Sequence, residues 1–283
     1  MKTVVVTGAT SGIGFAVARR LKTGGFRVIG VGRSAENIKA AQSALAREFG
    51  DETKFFQADL INQNEVRRVG AEIGAYLEKE CGGGLYSLVN NAGCVRSWYT
   101  TSEEGIEQQF ALNHIAGFLL TELLLPYITK ASGRILFTSS ESHRGIDVHW
   151  KDLMFKKRYR PLMAYKQSKL CNLLTALYFN ENSARTGARA ACVDPGLVKT
   201  EIGLKKTAGI VNFVWKMRMR QGDDPSVPAE TYAWLLEREE APDKLYYRDS
   251  TPKKYSPFAT LERAERLAEV TRRLYGEPTE AAQ

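Results

Sequence analysis

The sequence has few of the residues that bind metals or form disulfides. Its 283 residues include only three histidines and four cysteines. The cysteines do not have the spacing of a metal site; they are Cys81, Cys94, Cys171 and Cys192. We therefore expect no bound metal. We also expect free thiols, which are typical of a cytoplasmic protein.

Long apolar runs and targeting signals are missing as well. No stretch is expected to be long and apolar enough to cross a bilayer. The N-terminus lacks the regions of a signal peptide, because an apolar strand-like run begins at once. The net charge is +8, but no nucleic-acid-binding motif accompanies it. These absences predict a protein with no transmembrane segment and no nucleic-acid partner.

Apolar runs alternate with segments of helical spacing along the chain. Strands are predicted at 2–6, 26–31, 54–58, 85–89, 134–138 and 189–193. Helices are predicted near 35–49, 63–79, 103–128 and 161–185. This alternation requires right-handed crossovers and a parallel sheet covered on both faces. With no internal repeat or linker, residues 1–283 are predicted to form one doubly wound α/β domain.

A glycine-rich turn at residues 7–14 joins the first strand to a helix. Backbone N–H groups in such a turn can approach a pyrophosphate, and the helix N-terminus adds partial positive charge. Gly8 would permit the tight turn, Gly12 would leave room for the phosphates, and Gly14 would allow close helix–strand packing. A glycine triplet is weak evidence by itself, so a turn without a ligand is the alternative.

Small or polar residues follow each predicted strand. They are Gly32, Arg33, Asp59, Asn90, Asn91, Ala92, Gly93, Ser139, Ser140, Asp194, Pro195 and Gly196. Ligands of doubly wound sheets bind at the carboxyl ends of the strands, near the switch in strand order. We infer that an extended ligand crosses this edge.

Tyr165 and Lys169 are four residues apart in a predicted helix and therefore share one face. A cation beside a tyrosine favours the phenolate, which makes the hydroxyl a usable proton donor and acceptor near neutral pH. The alternative is an aromatic residue and a solvated lysine on a helix surface.

Four motifs, in this order, resemble those of the short-chain dehydrogenase/reductase family. They are the turn at 7–14, the Asn-Asn-Ala-Gly of 90–93, the Tyr-x-x-x-Lys of 165–169 and Pro195-Gly196. The resemblance covers nearly the whole chain. It implies a parallel seven-stranded Rossmann fold with helices on both faces. It also implies an oxidoreductase that interconverts a carbonyl and an alcohol with a nicotinamide cofactor.

The same resemblance implies roles for individual residues. Tyr165 would be the acid and base, Ser140 would orient the substrate oxygen, and Asn113 would hold a water linked to Lys169. Ser139 would be structural, although the reverse assignment of the two serines is the alternative. The implied cofactor-binding residues are Gly8, Thr10, Ser11, Gly12, Ile13, Gly14, Arg33, Asp59, Leu60, Asn91, Ala92, Gly93, Tyr165, Lys169, Pro195, Gly196, Val198 and Thr200. Among the histidines, His114 is expected to be structural, and nothing marks His143 or His149 as a metal ligand.

Arg33 bears on the choice of cofactor. NAD enzymes of this fold usually place an acidic side chain at the end of the second strand. An arginine there can instead pair with a 2′-phosphate, a contact of about 1.5–3 kcal/mol. We expect NADP(H), with NAD(H) as the alternative because Ser11 stands where some relatives have a second basic residue. Gly32 would leave space for the phosphate, and neither Gly32 nor Arg33 is expected in the core.

The long interval from Ser140 to Tyr165 is similar to that of the retinol dehydrogenase-like branch, as is the C-terminal part, with a helix near 258–275. That branch implies a bulky apolar substrate. The segment near 200–225 mixes apolar and basic residues, so we expect a lid over the substrate, with a membrane-surface contact as the alternative.

Two questions stay open at this point. In the family the helices near 103–128 and 161–185 commonly form a dimer interface, so a homo-oligomer (dimer or tetramer) is expected. These helices have more apolar side chains than one sheet face needs: Phe118, Leu119, Leu123, Leu173, Leu174 and Tyr178. The alternative is that all six face the sheet.

The rival functions are a nucleotide sensor that lost catalysis and an epimerase or dehydratase. The intact catalytic set argues against the sensor.

Overall fold

The computed structural model describes residues 1–183, 187–199 and 222–276. The strands are β1 (Thr3–Thr7), β2 (Arg27–Gly32), β3 (Lys54–Gln57), β4 (Ser87–Asn90), β5 (Arg134–Thr138), β6 (Arg189–Val193), β7 (Tyr246–Arg248) and β8 (Thr251–Pro252). The helices are α1 (Gly12–Thr23), α2 (Ala35–Phe49), α3 (Gln63–Glu80), α4 (Gln108–Phe110), α5 (Ala116–Lys130), α6 (Pro161–Asn182), α7 (Ser226–Glu237) and α8 (Leu261–Leu274). A π-helical turn (Ala111–Ile115) joins α4 to α5, and a 3₁₀ turn (Glu141–His143) follows β5.

The strands form one twisted sheet in the order β3-β2-β1-β4-β5-β6-β7-β8. The chain order reverses between β1 and β4, which is the switch point of a doubly wound fold. The first seven strands run parallel, as predicted. The eighth was not predicted; it pairs antiparallel with β7 and has only two residues, too few for a recognisable hydrophobic pattern.

Two apolar layers enclose the sheet and confirm that helices cover both faces. In β1, Val4, Val5 and Val6 are all fully buried, as expected for a parallel strand between two helical layers. One layer contains side chains of α3, α5, α6 and α8. The other contains side chains of α1, α2 and α7. Because both faces are closed, the carboxyl edge of the sheet is where polar side chains collect.

The helix predicted to start at residue 103 starts at Gln108 instead. Glu107 is its N-cap, and the carboxylate accepts hydrogen bonds from Gln109 N at 3.0 Å and Phe110 N at 2.8 Å. The residues before it cap another helix, since Glu104 Oε1 accepts from Gln63 N at 2.7 Å. Residues 103–107 were therefore wrongly assigned to the long helix: they precede it, and Glu104 caps α3 instead.

No segment was expected to be long and apolar enough to span a membrane. That expectation was wrong, because one helical stretch meets the criteria of length and composition. The continuous helical stretch Gln108–Lys130 is long and apolar enough to do so. However, 61% of its most apolar window is buried inside the fold. A core helix passes the same test, so this stretch is weak evidence for a membrane span.

α8 packs against α5 and α6. It covers apolar side chains of these two helices that could, from the sequence alone, have faced either the sheet or a partner subunit. His114 Nε2 lies 2.8 Å from Thr271 Oγ1, and Arg272 pairs with Glu122 at 2.6 Å. Arg272 also donates to the hydroxyl of Tyr178 at 2.7 Å. Of the six apolar side chains in question, four are buried and two partly buried within this single chain: Phe118, Leu119, Leu173 and Leu174, then Leu123 and Tyr178.

Candidate active site

The glycine-rich turn presents the N-terminus of α1 at the sheet edge. Gly8 and Gly12 have φ of +66° and +53°, where a side chain is strained. A Cβ on Gly14 would lie 2.2 Å from the Gly8 carbonyl oxygen, so only glycine fits. Exposed Ser11 is the N-cap, and the first turn of α1 contains no acidic residue. An anion approaching these N–H groups therefore meets no like charge from that turn.

The turn is fastened to the neighbouring strands by Asn91. Its Nδ2 donates to the Thr7 carbonyl at 3.0 Å. The backbone N–H groups of Asn91 and Ala92 both donate to Thr7 Oγ1, at 2.9 and 3.0 Å. Thr138 Oγ1 donates to Asn91 Oδ1 at 3.4 Å, which adds β5 to the cluster. Thr7 and Thr138 were not singled out from sequence; their position as the last residues of strands was the available signal.

Asn113 lies in the π-helical turn and not in a regular helix. Its Oδ1 accepts from Cys94 N at 2.7 Å, and its Nδ2 donates to Cys94 O and Ser168 Oγ, each at 3.0 Å. A Cβ on Gly93 would lie 3.2 Å from Asn113 Oδ1. The π turn thus brings the asparagine against the loop after β4, and such turns are frequent at functional sites.

Lys169 is buried beside these groups. Its Nζ donates to the Thr138 carbonyl at 3.0 Å and lies 5.5 Å from the centre of the Tyr165 ring. A Cβ on Gly93 would lie 3.7 Å from the same Nζ. Burial lowers the pKa of Lys169 from 10.5 to about 8. Asn113, Gly93, Tyr165 and Lys169 therefore form one cluster at the ends of β4 and β5.

The two serines after β5 have different surroundings. Ser139 is buried, and its hydroxyl donates to the Lys169 carbonyl at 2.9 Å. Ser140 is half-buried, and its Oγ accepts from Ser142 N at 3.3 Å, which leaves its O–H as a donor. This difference favours Ser140 over Ser139 as the serine that meets a ligand.

His143 is a site residue that the sequence did not reveal. Its buried ring lies with Nδ1 at 2.5 Å from the Ser140 carbonyl and Nε2 at 3.2 Å from Ser256 N. Ser140 is only three residues before His143, but Ser256 is far from it in sequence and belongs to no motif, so only the folded chain shows that His143 joins the two.

The turn after β6 closes the edge. Asp194 is buried and accepts from Gly196 N at 2.9 Å and from the Tyr246 hydroxyl at 2.7 Å, which places Pro195 and Gly196. Val198 forms a parallel bridge with Asp223. Thr200 lies outside the described residues, as does most of the predicted lid (200–221).

The end of β2 differs from expectation at Gly32. This residue is buried, and a Cβ there would lie 2.4 Å from Thr10 Cγ2. The expectation that Gly32 lies outside the core was therefore wrong, because Thr10 of the glycine-rich turn packs on it. Arg33 is exposed, and within the described residues no carboxylate forms an ion pair with it.

The remaining predicted residues follow β3 or lie in α1. Asp59 is half-buried, and its Oδ1 accepts from Ile61 N at 3.2 Å, while Leu60 is buried. Ile13 is partly buried in α1. In the described ranges, no group of three or more histidine, cysteine, aspartate or glutamate side chains is placed to hold a metal ion.

Comparison with known proteins defines the class. The family model described as short chain dehydrogenase matches residues 2–210, and the chain belongs to this family of oxidoreductases. It is similar to a Streptomyces sp. (strain C5) protein assigned as a daunorubicin C-13 ketoreductase, with 32% identity over 88% of this chain and 83% of that one. It is also similar to human retinol dehydrogenase 12, with 31% identity over 97% of this chain and 86% of that one.

A solved structure agrees with the fold. The crystal structure of an uncharacterised protein from Mycobacterium Paratuberculosis aligns with a TM-score of 0.73 and 27% identity, covering 97% of this chain and 93% of that one. Alignments with other retinol dehydrogenases span as little as 60% of those proteins. Ketoreductase and retinol dehydrogenase relatives place this chain among members that act on carbonyl and alcohol groups.

Proposed function

We propose that this protein is an NADP(H)-dependent oxidoreductase that interconverts a carbonyl and a primary or secondary alcohol on an apolar substrate. The observation that carries the proposal is the cluster of Tyr165, Lys169 and Asn113 at the carboxyl ends of β4 and β5, with half-buried Ser140 two residues after β5 and an open helix N-terminus at the same sheet edge. A sensor would need the helix N-terminus but not this set of proton-handling groups.

The residues present fit a dinucleotide. Only glycine fits at position 14, and Gly8 and Gly12 adopt left-handed backbone conformations that bring N–H groups to the edge. Thr10, Ser11 and Ile13 would contact the pyrophosphate, Asp59 and Leu60 the adenine, and Asn91 to Gly93 the ribose. Pro195, Gly196, Val198 and Thr200 would line the nicotinamide side. When bound, the nicotinamide supplies or accepts the hydride.

Tyr165 transfers the proton that accompanies this reaction. Lys169, with its pKa lowered by burial to about 8, still carries its charge at neutral pH. Its ammonium lies near the Tyr165 ring and favours the phenolate, so the hydroxyl can give up and regain a proton. Ser140 O–H donates to the substrate oxygen and orients the carbonyl. Asn113 holds the loop after β4 through Cys94, and the family resemblance implies that it also holds a water that would relay protons to Lys169.

Arg33 supports the preference for NADP(H). Its guanidinium is exposed at the end of β2, where an NAD enzyme would usually have a carboxylate. A 2′-phosphate would supply it with a charged partner.

Exposed apolar side chains on the segments that contain the site residues support an apolar substrate. Trp98 is 58% exposed in the loop after β4, Leu162 is 38% exposed one turn before Tyr165, and Leu197 is 40% exposed beside Gly196. Apolar side chains exposed on segments next to the site residues suit a bulky apolar molecule, and two relatives are named for daunorubicin and retinol. The segment near 200–225 would act as its lid.

Two further proposals concern the whole protein. We propose a cytoplasmic location, in line with four free cysteines. Self-association, which the family resemblance implies, would use a surface other than α5 and α6, because α8 covers that face.

The test is to offer the protein NADPH and a panel of carbonyl compounds, including bulky apolar ketones and aldehydes. The loss of NADPH absorbance measures the reduction of each compound. We expect NADPH oxidation with at least one apolar carbonyl. NADPH binding without turnover of any compound would favour the sensor. Product analysis that shows inversion or loss of water without net NADPH use would favour an epimerase or dehydratase.

A further inference from the structure

His143 has hydrogen-bond partners at both ring nitrogens although it is fully buried. Nδ1 lies 2.5 Å from a carbonyl oxygen, that of Ser140, so it must carry the proton. Nε2 lies 3.2 Å from the backbone N–H of Ser256 and must accept. The ring is therefore neutral and in a single tautomer. Burial lowers its pKa, which agrees with this assignment.

The first partner is the backbone of the serine that meets the substrate. The Ser140 carbonyl accepts from both the backbone N of His143, at 3.0 Å, and the ring Nδ1. Two donors on one carbonyl fix the orientation of the peptide that follows Ser140. The direction in which the Ser140 side chain leaves the backbone is fixed with it.

The second partner belongs to the C-terminal part of the chain. Ser256 lies between β8 and α8, far from Ser140 in sequence. The His143 ring also stands edge-on against Tyr246, with ring centres 4.9 Å apart. Tyr246 in turn donates to Asp194, which holds Gly196. One imidazole therefore contacts both the backbone of Ser140 and the C-terminal part that holds the turn after β6.

We propose that His143 is a positioning residue for Ser140, acting through the Nδ1–H bond to the Ser140 carbonyl. The inference rests on the proposed function, in which Ser140 orients the substrate oxygen. His143 touches neither substrate nor cofactor in this role. Its bond to Ser256 is a separate contact that docks the C-terminal part and does not set the serine.

Two conservative variants separate the two bonds. In His143→Asn the side-chain amide can replace Nδ1 as the donor to Ser140 but cannot reach Ser256. In His143→Gln the side-chain oxygen can replace Nε2 as the acceptor from Ser256 but the Ser140 bond is lost. Thr271→Val is the matched control, because it removes a buried bond that docks α8 and leaves the surroundings of Ser140 intact.

Steady-state kinetics with a carbonyl substrate, NADPH titration and thermal unfolding are measured for all variants. We expect His143→Gln to lower kcat on the order of 10-fold, within the range for a misplaced catalytic group, with NADPH affinity nearly unchanged. His143→Asn should recover most of the lost kcat. Thr271→Val should lower stability without lowering kcat. In a Ser140→Ala background, His143→Gln should cause no further loss, because the group that it positions is gone.

A second readout does not need turnover. Hydrogen exchange at the amides of 140–144 should accelerate in His143→Gln but not in His143→Asn. Equal effects of the two variants on kcat and exchange, or a full additional loss in the Ser140→Ala background, would overturn the positioning role. If Ser140→Ala itself left kcat unchanged while the exchange pattern appeared as expected, the proposed function of Ser140 would fail and the link from His143 to its backbone would stand.

Discussion

The Lys169 ammonium donates to the Thr138 carbonyl at 3.0 Å, so the last peptide of β5 holds the cation of the site in place. Ser139, the next residue, donates back to the carbonyl of Lys169 at 2.9 Å. This exchange of bonds ties α6 to the end of β5. It places Tyr165, one turn earlier on α6, at the same edge as Ser140.

Tyr165→Phe tests the proton donor. Only the hydroxyl is removed, so NADPH binding should be nearly unchanged while turnover falls roughly 10²- to 10⁴-fold, the usual contribution of general acid–base catalysis. Carbonyl reduction and NADPH titration measure the two effects. Tyr255→Phe is a suitable control, because it removes the same hydroxyl from an exposed tyrosine that lies after β8, outside the proposed site. Turnover within twofold of the parent would remove Tyr165 from the mechanism.

The pH profile of carbonyl reduction tests Lys169. Burial lowers its pKa to about 8, so its ammonium should lose the proton as the pH rises through that value. Because the charge that favours the Tyr165 phenolate is then lost, kcat should fall above about pH 8. In Lys169→Arg, whose guanidinium stays charged, kcat should be lower overall and the decline near pH 8 should disappear. A parent profile that stays flat to pH 9 would contradict this role.

The sheet and the main site motifs could be predicted because they depend on local signals. β5 and β6 have short apolar runs that match their observed bounds, and the Tyr-x-x-x-Lys spacing needs only helical periodicity. The glycines at 8, 12 and 14 have properties that no other residue supplies, so their positions identify the turn.

The errors came from contacts between distant residues. The burial of Gly32 depends on Thr10 packing against it, and the bond from His143 depends on Ser256. The burial of Phe118 and Leu119 of α5 within this chain could not be predicted either, because nothing local shows that α8 packs against α5; the homo-oligomer stays a prediction. Such contacts arise only when the chain has folded, and a single sequence carries no pattern for them.

Leu267→Ala tests whether α8 is a firmly docked part of the core. Leu267 is buried between α8 and the rest of its layer, so truncation should cost about 2–5 kcal/mol in the free energy of unfolding. Glu265→Ala, on the exposed side of α8, should change it by less than about 0.5 kcal/mol. Light scattering at micromolar concentration should give the same mass for both variants and the parent. A mass that changes with Leu267→Ala would indicate that α8 lies at a subunit interface.

His114 should make stability depend on acidity. Burial lowers its pKa from 6.5 to about 3, so the folded state binds no proton there over that interval while the unfolded state does. Protons then favour unfolding, and the free energy of unfolding should fall as the pH drops from about 6.5 toward 3. Urea unfolding at several pH values should show a flatter dependence for His114→Gln, which does not titrate. An identical dependence in parent and variant would mean that His114 is accessible to protons.

Arg33 gives the sharpest test of cofactor choice. Its exposed guanidinium has no carboxylate partner within the described residues, so a 2′-phosphate can take that place. Arg33→Ala should weaken NADPH binding by about 10- to 150-fold and change NADH binding little. Lys39→Ala, an exposed basic residue of α2, is the control and should change neither.

A carboxylate placed beside Arg33 should act in the same direction by repulsion. Gly32→Asp is unsuitable, because its side chain would collide with Thr10. Ser34→Asp is better: Ser34 is the N-cap of α2 and accepts from Asn37 N, and aspartate caps equally well. The new charge would oppose the 2′-phosphate while the helix keeps its cap. Calorimetric titration of the parent and these variants with both cofactors measures the preference. Equal affinity of the parent for NADH and NADPH would contradict the assignment, and so would an unchanged preference in Arg33→Ala.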